Sequence, residues 1–306
     1  MFLSDFLKNS EQDEALKSVV LTISKGVKKI SKNIDTCNLG KTESGKENAS
    51  GDEQMALDIL SNKLLEEELK KNININSYAS EEEEDSVKLN DEGEYCIAFD
   101  PLDGSSLIDT NLTIGSIFGV YKDKSFIGQK GKNQKMAAYA VYGPRTTFFL
   151  SFGTDVYGFS LNNENEFILT HKKIKINEDT KIFSPGNLRA CHENEKYLKL
   201  VNDWIIEQKT LRYSGGMVPD INSIFCKTQG IFSYPSHSKY PNGKLRILYE
   251  CAPLAFLVKA GGGLALDQNG RDILDIEIEE LHQRSTIFIG SRNEVIRAVE
   301  ELNKKV

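Results

Sequence analysis

The sequence predicts an α/β (α+β) fold with helices packed on a large sheet, and three observations carry that expectation. Residues 14–34 place Leu16, Val19, Val20, Ile23, Val27, Ile30 and Ile34 at helical spacing. From Tyr95 onward, short β-rich segments alternate with Gly, Pro and Asn turns. A chain of 306 residues with 39% hydrophobic content is long enough for one large or two intimately packed domains with a substantial core.

The elements follow in order. The start, MFLSDFLKNSEQDEAL, is too acidic and too short in its apolar part for a secretory signal or transit peptide. An amphipathic helix over 14–34 is followed by a Gly/Ser/Lys/Glu loop at 38–50 and a second helix over 51–71, with Met55, Leu57, Leu60, Leu64 and Leu65 on its apolar face. A strand ends near Ala79, and further strands are expected at 95–100, 112–122, 136–142, 146–152, 155–160 and 166–170. The stretch Ile174 to Ile182 reads as the crossing between an amino-terminal half, 1–181, and a carboxy-terminal half, 182–306. No Pro/Ser-rich tether separates them, so a long shared interface is expected. The second half reads as a strand at 182–184, a helix at about 194–208 containing Trp204, and the pair Gly215-Gly216. Strands near 224–232 and 244–249, a helix at 251–260, strands at 263–266 and 286–290 and a closing helix at 292–304 complete it.

Composition excludes several function classes. A net charge of −7 without a Lys/Arg-rich tract argues against nucleic acid or an anionic membrane as partner. No apolar run reaches the roughly eighteen residues of a membrane span. Cytoplasm is the expected compartment, a processed organellar form being the alternative. The cysteines at 37, 96, 191, 226 and 251 form no C-x-x-C pair and are odd in number, which fits free thiols. The four histidines lack a zinc-ligand spacing.

The run FDPLDGSS, residues 99–106, concentrates chemistry. Asp100 and Asp103 flank Pro101 and Leu102, so a chain leaving a strand and turning can aim both carboxylates at one point, with the Leu102 carbonyl as a neutral oxygen donor. Such donors suit Mg²⁺ or Mn²⁺. Gly104, Ser105 and Ser106 offer backbone N–H groups and hydroxyls to an anion. An Asp-Pro turn with a serine helix cap explains the run equally well when it is taken alone. A second acidic cluster, Glu81 to Asp85, tips the balance, because Glu81 and Glu82 lie at the end of a strand and can approach Asp100 and Asp103. Glu83, Glu84 and Asp85 read as surface charge. Asp52 and Asp58 are six apart; at about 100° per residue a regular helix would not pair them. By pattern Asp52 is a cap and Asp58 an exposed polar residue. In GKLRILYE, alternation places Lys244, Arg246, Leu248 and Glu250 on one side of a strand, which is either a phosphate-binding wall ending in a metal ligand or, more commonly, an edge strand's solvent face.

SEE, FDPLDGSS and GKLRILYE stand in the order found in class I fructose-1,6-bisphosphatases, and the chain resembles that family over most of its length. GDEQMALDILSNKLL (51–65), VYGPRTT (141–147), FSPGNLRA (183–190) and LRYSGGMVPDIN (211–222) are most similar to its sedoheptulose-1,7-bisphosphatase branch, whereas YECAPLAFLV and His282-Gln283-Arg284 look like the fructose branch. The resemblance implies a layered α/β/α/β/α sandwich of the sugar bisphosphatase and inositol monophosphatase type. It implies two or three Mg²⁺ ions, with Mn²⁺ as a substitute, on Glu81, Glu82, Asp100, Leu102, Asp103 and Glu250. Asp52 and Asp58 would assist Glu82 in activating water. Asp103, Gly104, Ser105, Ser106, Lys244 and Arg246 would bind substrate, with Arg212, Tyr213 and Tyr234 gripping the distal phosphate and Asn187 and Arg189 tuning the pocket for a seven-carbon sugar. Arg212 would come from a neighbouring subunit, implying a homodimer or homotetramer. The expected reaction is release of the 1-phosphate of sedoheptulose 1,7-bisphosphate, with a fructose or dual bisphosphatase as the alternative. A catalytically silent metabolite-binding regulator is the reading from another class. A closely spaced regulatory cysteine pair is not present before GDEQ, where only Cys37 stands, so thioredoxin control is not expected.

Overall fold

The structure, a computed structural model, describes residues 1–36, 43–47 and 53–304. The chain opens with α1 (Leu3–Lys8) and α2 (Glu14–Thr36), followed by β1 (Glu43–Glu47) paired antiparallel with β2 (Glu53–Met55), and α3 (Ala56–Leu69). The helix predicted from residue 51 therefore begins at Ala56, with Asp58 in its first turn. Asp52 and Cys37 lie outside the described residues.

Eight strands build the large sheet: β3 (Ile75–Ser80), β4 (Val87–Lys88), β5 (Tyr95–Asp103), β6 (Ile114–Tyr121), β7 (Gln134–Tyr142), β8 (Thr146–Ser151), β9 (Val156–Leu161) and β10 (Phe167–Ile174). Their order is β10-β9-β8-β7-β6-β5-β3-β4, and β3 runs parallel to β5 while the other neighbours are antiparallel. Every residue of β3, β5 and β6 is buried. A sheet covered on both faces needs apolar side chains in both directions, which fits the near-continuous apolar stretches Tyr95–Phe99 of β5 and Ile117–Tyr121 of β6.

The remaining elements are β11 (Ile182–Pro185), α4 (Ala190–Glu193), α5 (Glu195–Ile206), β12 (Thr210–Leu211), α6 (Met217–Lys227), β13 (Ile231–Tyr234), β14 (Leu245–Arg246), α7 (Ala252–Ala260), β15 (Leu264–Leu266), β16 (Arg284–Ser285), β17 (Ile287–Gly290) and α8 (Arg292–Asn303). Five of the strands form a second sheet in the order β12-β11-β13-β17-β15, and β14 pairs with β16.

Three apolar clusters define the layers. Val19, Ile23, Val27 and Leu65 of α2 and α3 pack on Phe99, Phe118 and Val120 of the large sheet. On that sheet's opposite face, Ala98, Ile117 and Tyr139 meet Val218, Ile221 and Phe225 of α6 and Leu254 and Val258 of α7, which also cover Phe232 and Ile289 of the second sheet. Tyr197, Leu200 and Trp204 of α5, with Val295 and Val299 of α8, close the outer face over Phe183 and Phe288. The result is the expected α/β/α/β/α sandwich. Among the described residues no helix is long and apolar enough to cross a membrane.

Two predicted strands are corrected. The strand at 224–232 is instead the end of α6 followed by β13. Val218, Ile221, Ile224 and Phe225 are the buried stripe of that helix, and Pro219 is tolerated because it stands in the first turn. The strand at 244–249 stops at Arg246, since β16 pairs only with Leu245 and Arg246. Residues Ile247–Cys251 then coil into a π-helical turn leading into α7. Lys244, Arg246, Leu248 and Glu250 therefore do not share one strand face: Leu248 enters the core.

Candidate active site

The acidic centre begins with an irregularity in β5. Asp100 pairs with Ile117 and Asp103 with Gly115, so three residues on one strand span two on the other. In a regular strand, residues three apart point to opposite faces; the extra residue reverses this and turns Asp103 to the same side as Asp100. Pro101 has no N–H to give the ladder, and its carbonyl instead accepts from Ser116 Oγ at 2.7 Å. Asp100 Oδ1 accepts from the Leu102 N–H at 2.8 Å. Gly104 follows with φ +86°, a left-handed turn that a side chain would strain.

The amino-terminal end of α6 fixes Asp103. Its Oδ1 accepts from the Met217 N–H at 3.3 Å and its Oδ2 from the Val218 N–H at 2.6 Å, groups that a helix leaves without internal partners. Glu250 arrives from the π-helical turn, its Oε2 accepting from the Arg246 N–H at 2.6 Å. Oxygens of Asp100, Asp103 and Glu250 lie within 4.8 Å of one another, and all three residues are buried.

Burial and crowding raise these acids. Asp100 is pushed well above the carboxylate range by burial and then by the charges of Glu81, Asp103 and Glu250. Burial lifts Glu250 to about 8, with Glu81 adding to it and Arg246 opposing it. Burial lifts Asp103 to about 6, restrained by the two α6 N–H groups. An all-oxygen, electron-rich and mutually repelling set fits a hard divalent cation, whose charge would offset the repulsion.

Glu81, Glu82 and Glu83 form a turn at the end of β3. The Glu81 N–H reaches the Phe99 carbonyl at 3.1 Å, and Glu82 N–H reaches Ser80 Oγ at 3.2 Å. The Glu81 carboxylate pairs with the Arg246 guanidinium. Glu83, expected to be surface charge, is instead tied in: its Oε1 accepts from Asn62 Nδ2 at 2.9 Å and its carbonyl meets His282. Glu84 and Asp85 are exposed as expected. Asp58, expected on an exposed face, is buried and lines the cleft, because α3 turns that side toward the acidic centre.

The cleft measures about 260 Å³ and gathers Asp58, Glu81, Glu82, Asp100, Leu102, Asp103 and Glu250 at its base. Gly104, Ser105, Ser106, Tyr213, Tyr234, Lys244 and Arg246 complete the predicted residues that it brings together. Asn187, Arg189 and Arg212 do not line it. Asn187 is buried with φ +53° and donates from Nδ2 to the Pro235 carbonyl at 2.9 Å. Arg189 and Arg212 are exposed.

The loop Gly215-Gly216 and residues Met217, Phe232 and Leu245 also line the cleft and were missed. The helical period Val218, Ile221, Phe225, with Pro219 in its first turn, is the signal that a helix starts there. Asp220 was missed as well. Its Oδ1 accepts from the Ser214 N–H at 2.9 Å, and burial raises it to about 7.

The chain is similar to known proteins along nearly its whole length. The family model described as fructose-1-6-bisphosphatase, N-terminal domain, matches residues 2–172, and that for the C-terminal domain matches residues 176–303. A class 1 fructose-1,6-bisphosphatase of Trichlorobacter lovleyi is 40% identical over 310 residues, covering 99% of this chain and 96% of that protein. A chloroplastic sedoheptulose-1,7-bisphosphatase of Spinacia oleracea is 40% identical over 304 residues, covering 96% of this chain and 76% of that protein. The crystal structure of Leishmania major fructose-1,6-bisphosphatase in holo form superposes with a TM-score of 0.92 at 34% identity, covering 99% of each chain.

Proposed function

We propose, from the premise that the chain belongs to the fructose-1,6-bisphosphatase family and is a sugar-bisphosphate phosphatase, that it removes the 1-phosphate of sedoheptulose 1,7-bisphosphate with Mg²⁺ as cofactor. The observation that carries the phosphatase chemistry is the convergence of Asp100, Asp103 and Glu250 in one cleft with Lys244 and Arg246. The seven-carbon preference rests on the strings VYGPRTT, FSPGNLRA and LRYSGGMVPDIN.

Glu81, Glu82, Asp100, Asp103, Glu250 and the Leu102 carbonyl would hold two or three Mg²⁺ ions. When bound, these supply neutralisation of phosphoryl charge and a lowered pKa for a nearby water. Glu82 takes the proton of the attacking water, with Asp58 and Asp52 orienting it. Gly104, Ser105 and Ser106 hold the 1-phosphate by N–H and hydroxyl groups, and Lys244 and Arg246 bring positive charge to the substrate. Tyr213 and Tyr234 face the distal phosphate together with Arg212 of a second copy, while Asn187 and Arg189, outside the cleft lining, shape its surroundings for a seven-carbon sugar. Attack is in line and forms no phosphoenzyme, since among the described residues no cysteine or histidine lines the cleft as a nucleophile.

Fructose 1,6-bisphosphate as a substrate, alone or shared, is favoured by one observation: a class 1 fructose-1,6-bisphosphatase and a sedoheptulose-1,7-bisphosphatase match at the same 40% identity. One extra hydroxymethylene is a modest handle for discrimination. Phosphate release from both esters, measured side by side with Mg²⁺ and with Asp103→Ala as control, tests the reading. A kcat/KM at least tenfold larger on the seven-carbon ester, lost in the variant, is expected. Equal rates point to a dual enzyme, and a preference for the six-carbon ester overturns the seven-carbon assignment.

A further inference from the structure

His282 stands 199 residues beyond Glu83 in the chain, yet its Nε2 lies 2.9 Å from the Glu83 carbonyl. A carbonyl only accepts, so Nε2 carries the hydrogen and donates. Nδ1 is buried and has no hydrogen-bond partner among the described residues, so a second N–H there would be left unsatisfied. Burial also holds this ring below the ordinary histidine range. The imidazole is thus a neutral donor, committed through one nitrogen.

Its ring lies 5.3 Å from that of Tyr249, the residue before Glu250 in the π-helical turn. One side chain therefore touches both the acidic turn that carries Glu81 and Glu82 and the turn that carries Glu250. The acidic turn needs such ties, because five consecutive acids from Glu81 to Asp85 repel one another. Asn62 on α3 holds the same turn through the Glu83 carboxylate. The turn is thus pinned from α3 on one side and from the β16 segment on the other.

We propose that His282 is a positioning residue that clamps the acidic turn against the π-helical turn and so sets the spacing of Glu81 and Glu82 relative to Glu250. The inference rests on the reading of these three as metal ligands. Metal affinity is then the property His282 controls, ahead of substrate affinity.

Mn²⁺ binding to the purified full chain, measured by isothermal titration, tests this with His282→Phe, which keeps a ring on Tyr249 and loses the donor, and His282→Gln, whose amide can replace Nε2–H. His282→Phe is expected to weaken Mn²⁺ binding about tenfold or more, the usual effect of losing a group that orients metal ligands. It should raise the Mg²⁺ concentration for half-activation in parallel and leave KM at saturating metal within about twofold. His282→Gln should restore most of the affinity. Wild-type Mn²⁺ affinity in His282→Phe, or equal losses in both variants, would overturn the clamp. If His282→Phe does not fold, Asn62→Ala breaks the tie from α3 and must show the same metal loss; unchanged affinity there overturns the proposal too. Failure of the unaltered chain to take up Mn²⁺ would instead refute the metal-site reading.

Discussion

Three carboxylates buried within reach of one another are individually unfavourable, and backbone N–H groups on Asp103 and Glu250 and the charge of Arg246 beside Glu250 offset this only in part. The same crowding dictates how stability varies with pH. Asp103 at about 6, Asp220 at about 7 and Glu250 at about 8 are all raised in the folded chain. Between the unfolded carboxylate value and these values, the native state keeps protons that the unfolded chain has released. Stability is therefore greatest on the acidic side of that window and falls as pH rises through it. Chelator-treated protein is expected to lose melting temperature from about pH 5.5 to about pH 8.5, and Mg²⁺ should raise it most at the alkaline end, where it replaces the protons. A melting temperature that climbs with pH in metal-free protein would contradict the assignment. Asp220→Asn should flatten part of the slope. Legibility at this scale follows chain locality. FDPLDGSS announces its carboxylates because its ligands are neighbours, whereas the role of Glu83 depends on Asn62 and His282, whose positions have no local signature.

The helix α6 is the element on which the site leans most, since its first two N–H groups hold Asp103. Its seat on the large sheet exists because Gly115 has no side chain: a Cβ there would stand 2.3 Å from Val218 Cγ1 and 2.5 Å from the Ala140 carbonyl. Gly115→Ala is expected to cost about 1–3 kcal/mol, the range for overpacking a filled interior. It should also lower kcat severalfold by moving the α6 end away from Asp103. Calorimetry and a phosphate-release assay on the same preparation check this, and a stable, fully active variant would show that α6 can shift without cost. The helix was missed in the sequence because the apolar cluster at Ile224 and Phe225 suits a strand as well as a helix when Pro219 interrupts the pattern. The π-helical turn was missed for a related reason. LRILYE alternates like a strand, and only pairing that stops at Arg246 shows that it coils.

At the scale of the whole molecule, the exposed position of Arg212 outside its own cleft fits a role in a second copy's site. The proposal makes a sharp prediction about mixtures. Arg212→Ala should raise KM at least tenfold with little change in kcat, and Asp103→Ala should abolish turnover. Subunits of the two variants, unfolded together and reassembled, should yield sites with an intact acidic centre from one chain and Arg212 from the other. A low-KM component absent from either variant alone is then expected in the progress curves. Its absence, with hybrid assembly verified by mass, would place Arg212 outside the substrate site.

By itself the sequence determined the helical stripe of α2, the strands of the large sheet apart from β4, the aspartates of β5 and, through long shared strings, the family and its five-layer sandwich. These are properties of residues close in the chain, where period, turn chemistry and motif order are direct consequences of backbone geometry. The tertiary structure alone decided that an extra residue in β5 turns Asp103 beside Asp100, that Glu250 reaches them from a coiled turn, that Asp58 is buried at the cleft, and that α6 caps Asp103. These depend on contacts that chain-local pattern does not carry: the register of β5 on β6, the packing of α3 on one face of the large sheet and that of α6 and α7 on the other.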